Sequence, residues 1–132
     1  MNFKIFGLDK LTAKIKRLTS PQLTREMEKT TQKAVHYVHG KVPPYSSVPK
    51  PIGSTYVRQG TLGKSINTDV KTMGSNVVGT IGSALDYSPY VIDEEKQAGM
   101  HRGRWYTLQG VVKKAQAAVN KFFEDMVKRL TR

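Results

Sequence analysis

Apolar side chains recur every three or four positions across residues 111–130, and this spacing constrains the fold more than any other feature of the chain. The apolar positions are Val111, Val112, Ala115, Ala118, Val119, Phe122, Phe123, Met126 and Leu130. At helical spacing they form one stripe, which a folded domain must bury against another layer. Thr107 is suited to cap the first turn, and Lys128 and Arg129 favour the negative end of the helix dipole. We predict an amphipathic helix over about 108–130.

Two further helical patterns lie near the N-terminus. Four apolar residues at helical spacing predict a short amphipathic helix over about 8–19: Leu8, Leu11, Ile15 and Leu18. Ser20 and Pro21 then suit an N-cap and a first helical position, so a second helix should follow and end at Gly40. Its inward-facing residues should be Leu23, Met27, Ala34 and Val38. Helical structure is therefore predicted over about 8–39.

The middle of the chain predicts a loop and then a sheet. Residues 41–57 hold four of the six prolines, which exclude a continuing helix or a central strand, so we predict a proline-rich loop. Residues 65–73 and 77–81 alternate between apolar and polar and should form two strands around a turn at 74–76. A third extended piece is expected over 90–92, which gives a sheet within about 58–92.

This order of elements predicts an α+β fold, in which an antiparallel β-sheet is packed on one face by helices. At 132 residues the chain should form a single domain over 1–132. The absence of cysteine excludes disulfides, thiol catalysis and zinc–thiolate sites. No apolar run approaches the roughly 20 residues of a membrane span, and the N-terminus lacks a secretory apolar core. We therefore expect a soluble chain with no membrane contact.

The chain carries a formal charge of +12, from 22 basic and ten acidic residues. Such a charge could attract nucleic acid, an anionic surface or an acidic protein. The basic residues are spread from Lys4 to Arg132, with no block longer than two. Charge distributed along helix faces usually serves solvation, so a nucleic-acid-binding module is an alternative rather than the main interpretation.

Two motifs suggest chemistry that the rest of the sequence does not support. Gly60-Thr61-Leu62-Gly63-Lys64-Ser65 resembles the end of a phosphate-binding P-loop, but Arg58 occupies the position of its first glycine, and strand-type residues follow Ser65. We expect instead a turn that leads into a strand, with Leu62 and Ile66 packed inward. His36 and His39 could supply half of a metal site, but no third ligand lies nearby at helical spacing. We predict no catalytic, cofactor-binding or metal site, and no enzyme.

The stretch at 82–108 is the best candidate for a contact surface. It contains an acidic triplet, a basic cluster and the only tryptophan, and the interface candidates in it are Asp93, Glu94, Glu95, His101, Arg102, Arg104, Trp105 and Tyr106. Rings supply buried area at an interface, while charges at its rim fix register and partner choice. An ordinary loop with Trp105 and Tyr106 tucked under the core remains an equal alternative. The charged loop at 93–104 has few apolar residues, so we expect it to be mobile in an isolated subunit.

Several pieces of the chain resemble the tail-completion and head–tail joining proteins of tailed bacteriophages, the family typified by the HK97 gene-product-10 protein. Gly7-Leu8-Asp9-Lys10-Leu11 is similar to the start of that family's first helix. Val57-Arg58-Gln59-Gly60-Thr61-Leu62-Gly63-Lys64-Ser65-Ile66 is similar to its entry into the sheet, and Asp86-Tyr87-Ser88-Pro89-Tyr90-Val91 to a tyrosine-containing segment after it. The sequence departs from the family's pattern over residues 92–105.

The resemblance implies a non-enzymatic protein of the virion, assembled in the host cytoplasm, that forms a ring between the head connector and the tail tube. It implies a homo-oligomer whose neighbours are a head-completion or connector protein and a tail terminator or tail tube protein, with transient contact with packaged DNA. A ring requires two different complementary patches on each subunit. The acidic triplet and the Arg102/Arg104 cluster are the two patches that we expect.

Overall fold

A computed structural model describes residues 2–4, 20–44, 47–49, 60–73 and 76–131. The helix predicted over 8–19, most of the proline-rich loop at 41–57 and the segment 57–59 lie outside the described residues. Within them the elements run β1 (Asn2–Lys4), α1 (Ser20–Gly40), α2 (Thr61–Ser65), β2 (Ile66–Met73), β3 (Asn76–Ser83), α3 (Ser88–Ile92) and α4 (Leu108–Leu130). The predicted α+β class, with an antiparallel sheet, helices packed against it and a long C-terminal helix, is confirmed.

The end of α1 and both ends of α4 lie where the sequence predicted them. α4 is capped as expected, because the Gly110 amide donates to Thr107 Oγ1 at 3.0 Å. The described part of α1 begins at Ser20, the residue expected to cap this helix. The helices run antiparallel: Glu26 pairs with Arg129 at one end, and the rings of Tyr37 and Phe122 meet edge-on at 5.4 Å further along.

The sheet has three strands in the order β1–β3–β2, and both pairings are antiparallel. The predicted hairpin is confirmed, with Met73 opposite Asn76 and Ile66 opposite Ser83. Alternate residues of β2 turn toward the helices: Ile66 is buried, and Thr72 Oγ1 donates to Glu28 Oε1 on α1 at 2.6 Å. α1 packs directly on both β2 and β3, and α4 packs on α1.

Two parts of the predicted sheet are helical instead. The expected third extended piece at 90–92 is wrong, since these residues end helix α3, where Pro89 fixes a helical φ in the first turn and Val91 and Ile92 are buried. The turn expected before β2 is the short helix α2, although Leu62 and Ile66 are buried as predicted. The third strand is β1, which the sequence did not predict.

One apolar core joins the sheet to the helices. Buried side chains from α1, α2, β2, β3, α3 and α4 all belong to it. Three of the four inward positions predicted for α1 are buried, Met27, Ala34 and Val38, and Leu23 packs at the edge. Residues 84–107 attach to this core through Leu85, Val91, Ile92, Trp105 and Tyr106.

Candidate protein–protein interface

The charged loop at 93–104 is a compact hydrogen-bonded unit. Gln97 is only 7% exposed, and its Nε2 donates to the carbonyl oxygens of Val91 at 2.6 Å and Trp105 at 3.2 Å. The Ala98 amide donates to the carbonyl of Tyr90 at 2.8 Å. One buried side chain therefore ties α3 to the segment that enters α4. Seven of the twelve residues at 93–104 are exposed and only Gln97 is buried, so the mobility of this loop stays a prediction.

The acidic triplet is held by the first turn of α4. Asp93 Oδ1 accepts hydrogen bonds from the Glu95 amide at 3.0 Å and from Gln109 Nε2 at 3.1 Å. Gln109 Oε1 in turn accepts from the Glu94 amide at 3.0 Å. The side chains of Glu94 and Glu95 are exposed. Asp93 thus has a structural role, while the other two carboxylates are available to a partner.

The basic cluster occupies the far end of the same loop. The amides of Arg104 and Trp105 both donate to the His101 carbonyl, at 3.1 and 2.9 Å. Gly103, which immediately precedes Arg104, has φ 77°, a left-handed conformation that favours glycine. Arg102 is exposed, and His101 and Arg104 are half-buried. Within the described residues, neither arginine forms an ion pair with the acidic triplet.

Trp105 and Tyr106 pack against the core of the same chain. Their rings lie 5.8 Å apart, and His101 meets Trp105 edge-on at 6.5 Å. Tyr106 Oη is buried without a hydrogen-bond partner in the described part of the chain, and burial raises the pKa of Tyr106 above its ordinary value of 10.0. Both rings are half-buried, which agrees with the alternative of an intramolecular role for them.

Further exposed acidic and tyrosine side chains precede the triplet in the chain, within the stretch at 82–108 but outside the interface candidates predicted there. No lysine or arginine lies between Lys71 and Lys96, yet four of the ten acidic residues of the chain are found there. α3 buries Val91 and Ile92 and leaves Tyr90 58% exposed, beside Tyr87 at 47%. We define the acidic surface as the exposed residues Asp86, Tyr87, Tyr90, Glu94 and Glu95. The stretch between Lys71 and Lys96, which has no lysine or arginine, was the sequence signal from which this surface could have been predicted.

A second feature that the sequence did not predict is a cleft between the end of α1 and the start of α4. Its volume is about 490 Å³, and it is lined by Tyr37, Lys41, Pro43, Tyr106, Thr107, Gly110, Val111, Lys114 and Ala115. Lys41 and Lys114 are exposed, and Lys41 Nζ lies 5.2 Å from the centre of the Tyr37 ring. Neither lysine has an ion pair among the residues described. We refer to this site as the basic cleft.

The P-loop-like motif is used for internal structure. Ser65 Oγ donates to the Leu62 carbonyl at 2.6 Å and lies 2.6 Å from Ser83 Oγ. Because one hydroxyl supplies one proton, Ser83 must be the donor in that second contact. These bonds fasten α2 to the end of β3, and Lys64 remains exposed.

The two histidines of α1 are each engaged separately. His39 Nε2 donates to the Ile66 carbonyl at 3.0 Å, and His36 Nε2 accepts from Gln32 Nε2 at 2.8 Å. In the part of the chain that the structure describes, no three His, Asp or Glu side chains are grouped so that they could hold a metal ion.

No family model matches this chain, and no curated protein or solved structure matches it either. Among the described helices, none has both the length and the apolar character needed to cross a membrane.

Proposed function

We propose that this protein is a structural part of a phage or prophage virion, a head–tail joining component that forms a ring between the head connector and the tail tube. The observation that carries the proposal is the hydrogen-bonded segment at 84–105, which we call the contact segment. It presents exposed tyrosines and carboxylates that make no ion pair with the described part of their own subunit. Partner contacts of this composition combine aromatic area with charge-based selection.

The resemblance to head–tail joining proteins supports the same assignment. Its two central motifs include α2 and α3, and both helices lie at the open end of the β2–β3 hairpin, where Ser65 meets Ser83. The Ser88 hydroxyl also donates to the Ser83 carbonyl at 3.4 Å. These motifs therefore fix the base of the contact segment. The proposed role contains no catalytic step.

A basic nucleic-acid-binding module remains the competing proposal. It would use Trp105 and Tyr106 as stacking platforms. Both rings are half-buried against the core, however, and the Tyr106 hydroxyl oxygen is buried, so only part of each ring is accessible for stacking. Retention on duplex DNA that falls steeply with salt, and is lost in Trp105→Ala, would favour this competitor.

The proposed function is tested by deleting the gene from the phage or prophage that encodes it. Electron microscopy should then show filled heads and complete tails that remain separate. Adding the purified protein to this mixture should join them, and Lys64→Ala, an exposed change outside the contact segment, should join them equally well. Normal tailed particles in the deletion strain would contradict the proposal.

A further inference from the structure

A ring needs a second contact patch, and the loop at 93–104 does not provide two separate ones. Heterologous contacts join different surfaces of successive subunits. The acidic triplet and the two arginines belong to one hydrogen-bonded loop, because Gln97 and Ala98 in its middle bond to carbonyls on its two flanks. The complement to the acidic surface should therefore lie outside this loop.

The basic cleft has the chemistry that the acidic surface requires. Lys41 and Lys114 offer two exposed ammonium groups without an ion pair in the described residues. Two ammonium groups that line one cleft favour a carboxylate, which can accept hydrogen bonds from both.

We propose that the basic cleft binds the acidic surface of a second copy of this chain, with Glu94 or Glu95 entering between Lys41 and Lys114. This inference rests on the proposed ring, since it names the surfaces by which successive subunits would join. The occupant is a second copy because the chain itself supplies the complementary charge: residues 72–95 carry four carboxylates and no lysine or arginine. Exposed Tyr87 and Tyr90 supply apolar area beside these carboxylates.

Charge reversal on each side provides the test. The cleft variant is Lys41→Glu with Lys114→Glu, and the surface variant is Glu94→Lys with Glu95→Lys. All four side chains are exposed, so both variants should fold, as thermal unfolding would verify. The matched control is Lys113→Glu with Lys121→Glu, which makes the same change of charge on exposed positions of α4 that do not line the cleft.

Sedimentation velocity over a concentration series would measure self-association. Each variant alone should associate at least about ten-fold more weakly than the wild type, because like charges then face each other, while the control should change little. An equimolar mixture of the cleft and surface variants should recover association, since the acidic cleft of one then meets the basic surface of the other. Wild-type-like association of either variant alone, equal loss in the control, or no recovery in the mixture would overturn the inference.

The outcomes separate this inference from the proposed function. If the cleft variant associates and joins heads to tails like the wild type, the inference fails and the ring stands. If the mixture of the cleft and surface variants forms only dimers, the contact between cleft and acidic surface is supported and the proposed ring is contradicted. A wild-type chain that never self-associates, in solution or on heads, overturns both.

Discussion

Replacing Gln97 with alanine tests whether the contact segment is ordered from within the subunit. The substitution removes two hydrogen bonds from a side chain that is 7% exposed, those to the carbonyls of Val91 and Trp105. Each such bond contributes about 0.5–1.5 kcal/mol net, so the free energy of unfolding should fall by about 1–3 kcal/mol. The carbonyl of Val91 belongs to a buried residue, which places the expected loss in the upper half of that range.

Urea unfolding and hydrogen exchange together measure this effect. In the wild type, the amides of Gln97 and Ala98 should exchange slowly, because they donate to the carbonyls of Asp93 and Tyr90 at 2.8 Å each. In Gln97→Ala they should exchange faster, while the exchange rates of the β3 amides should rise only as much as the loss of global stability requires. The control is Gln116→Ala, an exposed position on α4, which should stay within about 0.5 kcal/mol of the wild type. The ordered loop would be refuted if Gln97→Ala lost no more free energy of unfolding than this control and if the two amides already exchanged fast in the wild type.

Three further predictions concern the core, the buried tyrosine and the P-loop-like motif. Phe123→Ala should lower the free energy of unfolding in urea by about 3–5 kcal/mol, because the Phe123 ring is 7% exposed. Phe122→Ala should lower it by only about 1–2 kcal/mol, because the half-buried Phe122 ring loses its contacts with Tyr37 and Lys33. Equal losses in the two variants would contradict this packing. Burial raises the pKa of Tyr106, so its contribution to stability is complete below the ordinary value of 10.0 and is lost as pH rises through the higher pKa of the folded state. When the pH is raised from below to above 10.0, the free energy of unfolding of Tyr106→Phe should therefore fall less than that of the wild type. Equal falls in the two proteins would contradict a raised pKa for Tyr106. Lys64→Ala should leave urea unfolding unchanged, and calorimetry should detect no ATP binding in either protein; saturable binding lost in the variant would restore the nucleotide hypothesis.

Long periodic segments were predictable from the sequence, and short ones were not. The bounds of α1 and α4 follow from apolar stripes that repeat over several turns and from local signals such as the Thr107 cap. α3 has five residues, fewer than two helical turns, so Val91 and Ile92 suit a strand as well as a helix, and Pro89 decides between them. β1 has three residues, and its pairing with β3 depends on a long-range contact that no local pattern encodes.

In the candidate interface, too, the sequence predicted local features but not those that depend on long-range contacts. Residue types identified the charged loop at 93–104, but the interior role of Gln97 depends on carbonyls brought together by folding. The basic cleft joins Lys41 to Lys114, which only the antiparallel packing of α1 on α4 places at one site. Trp105, the residue that most suggested an anchor for a partner, packs on its own core.

Cryo-electron microscopy of finished particles tests the central claim most directly. The account predicts a closed ring of copies of this chain between the head connector and the tail tube, with each subunit recognisable by the antiparallel pair of α1 and the 23-residue helix α4. Finished particles that lack the chain, or that carry it away from the head–tail junction, would contradict the account.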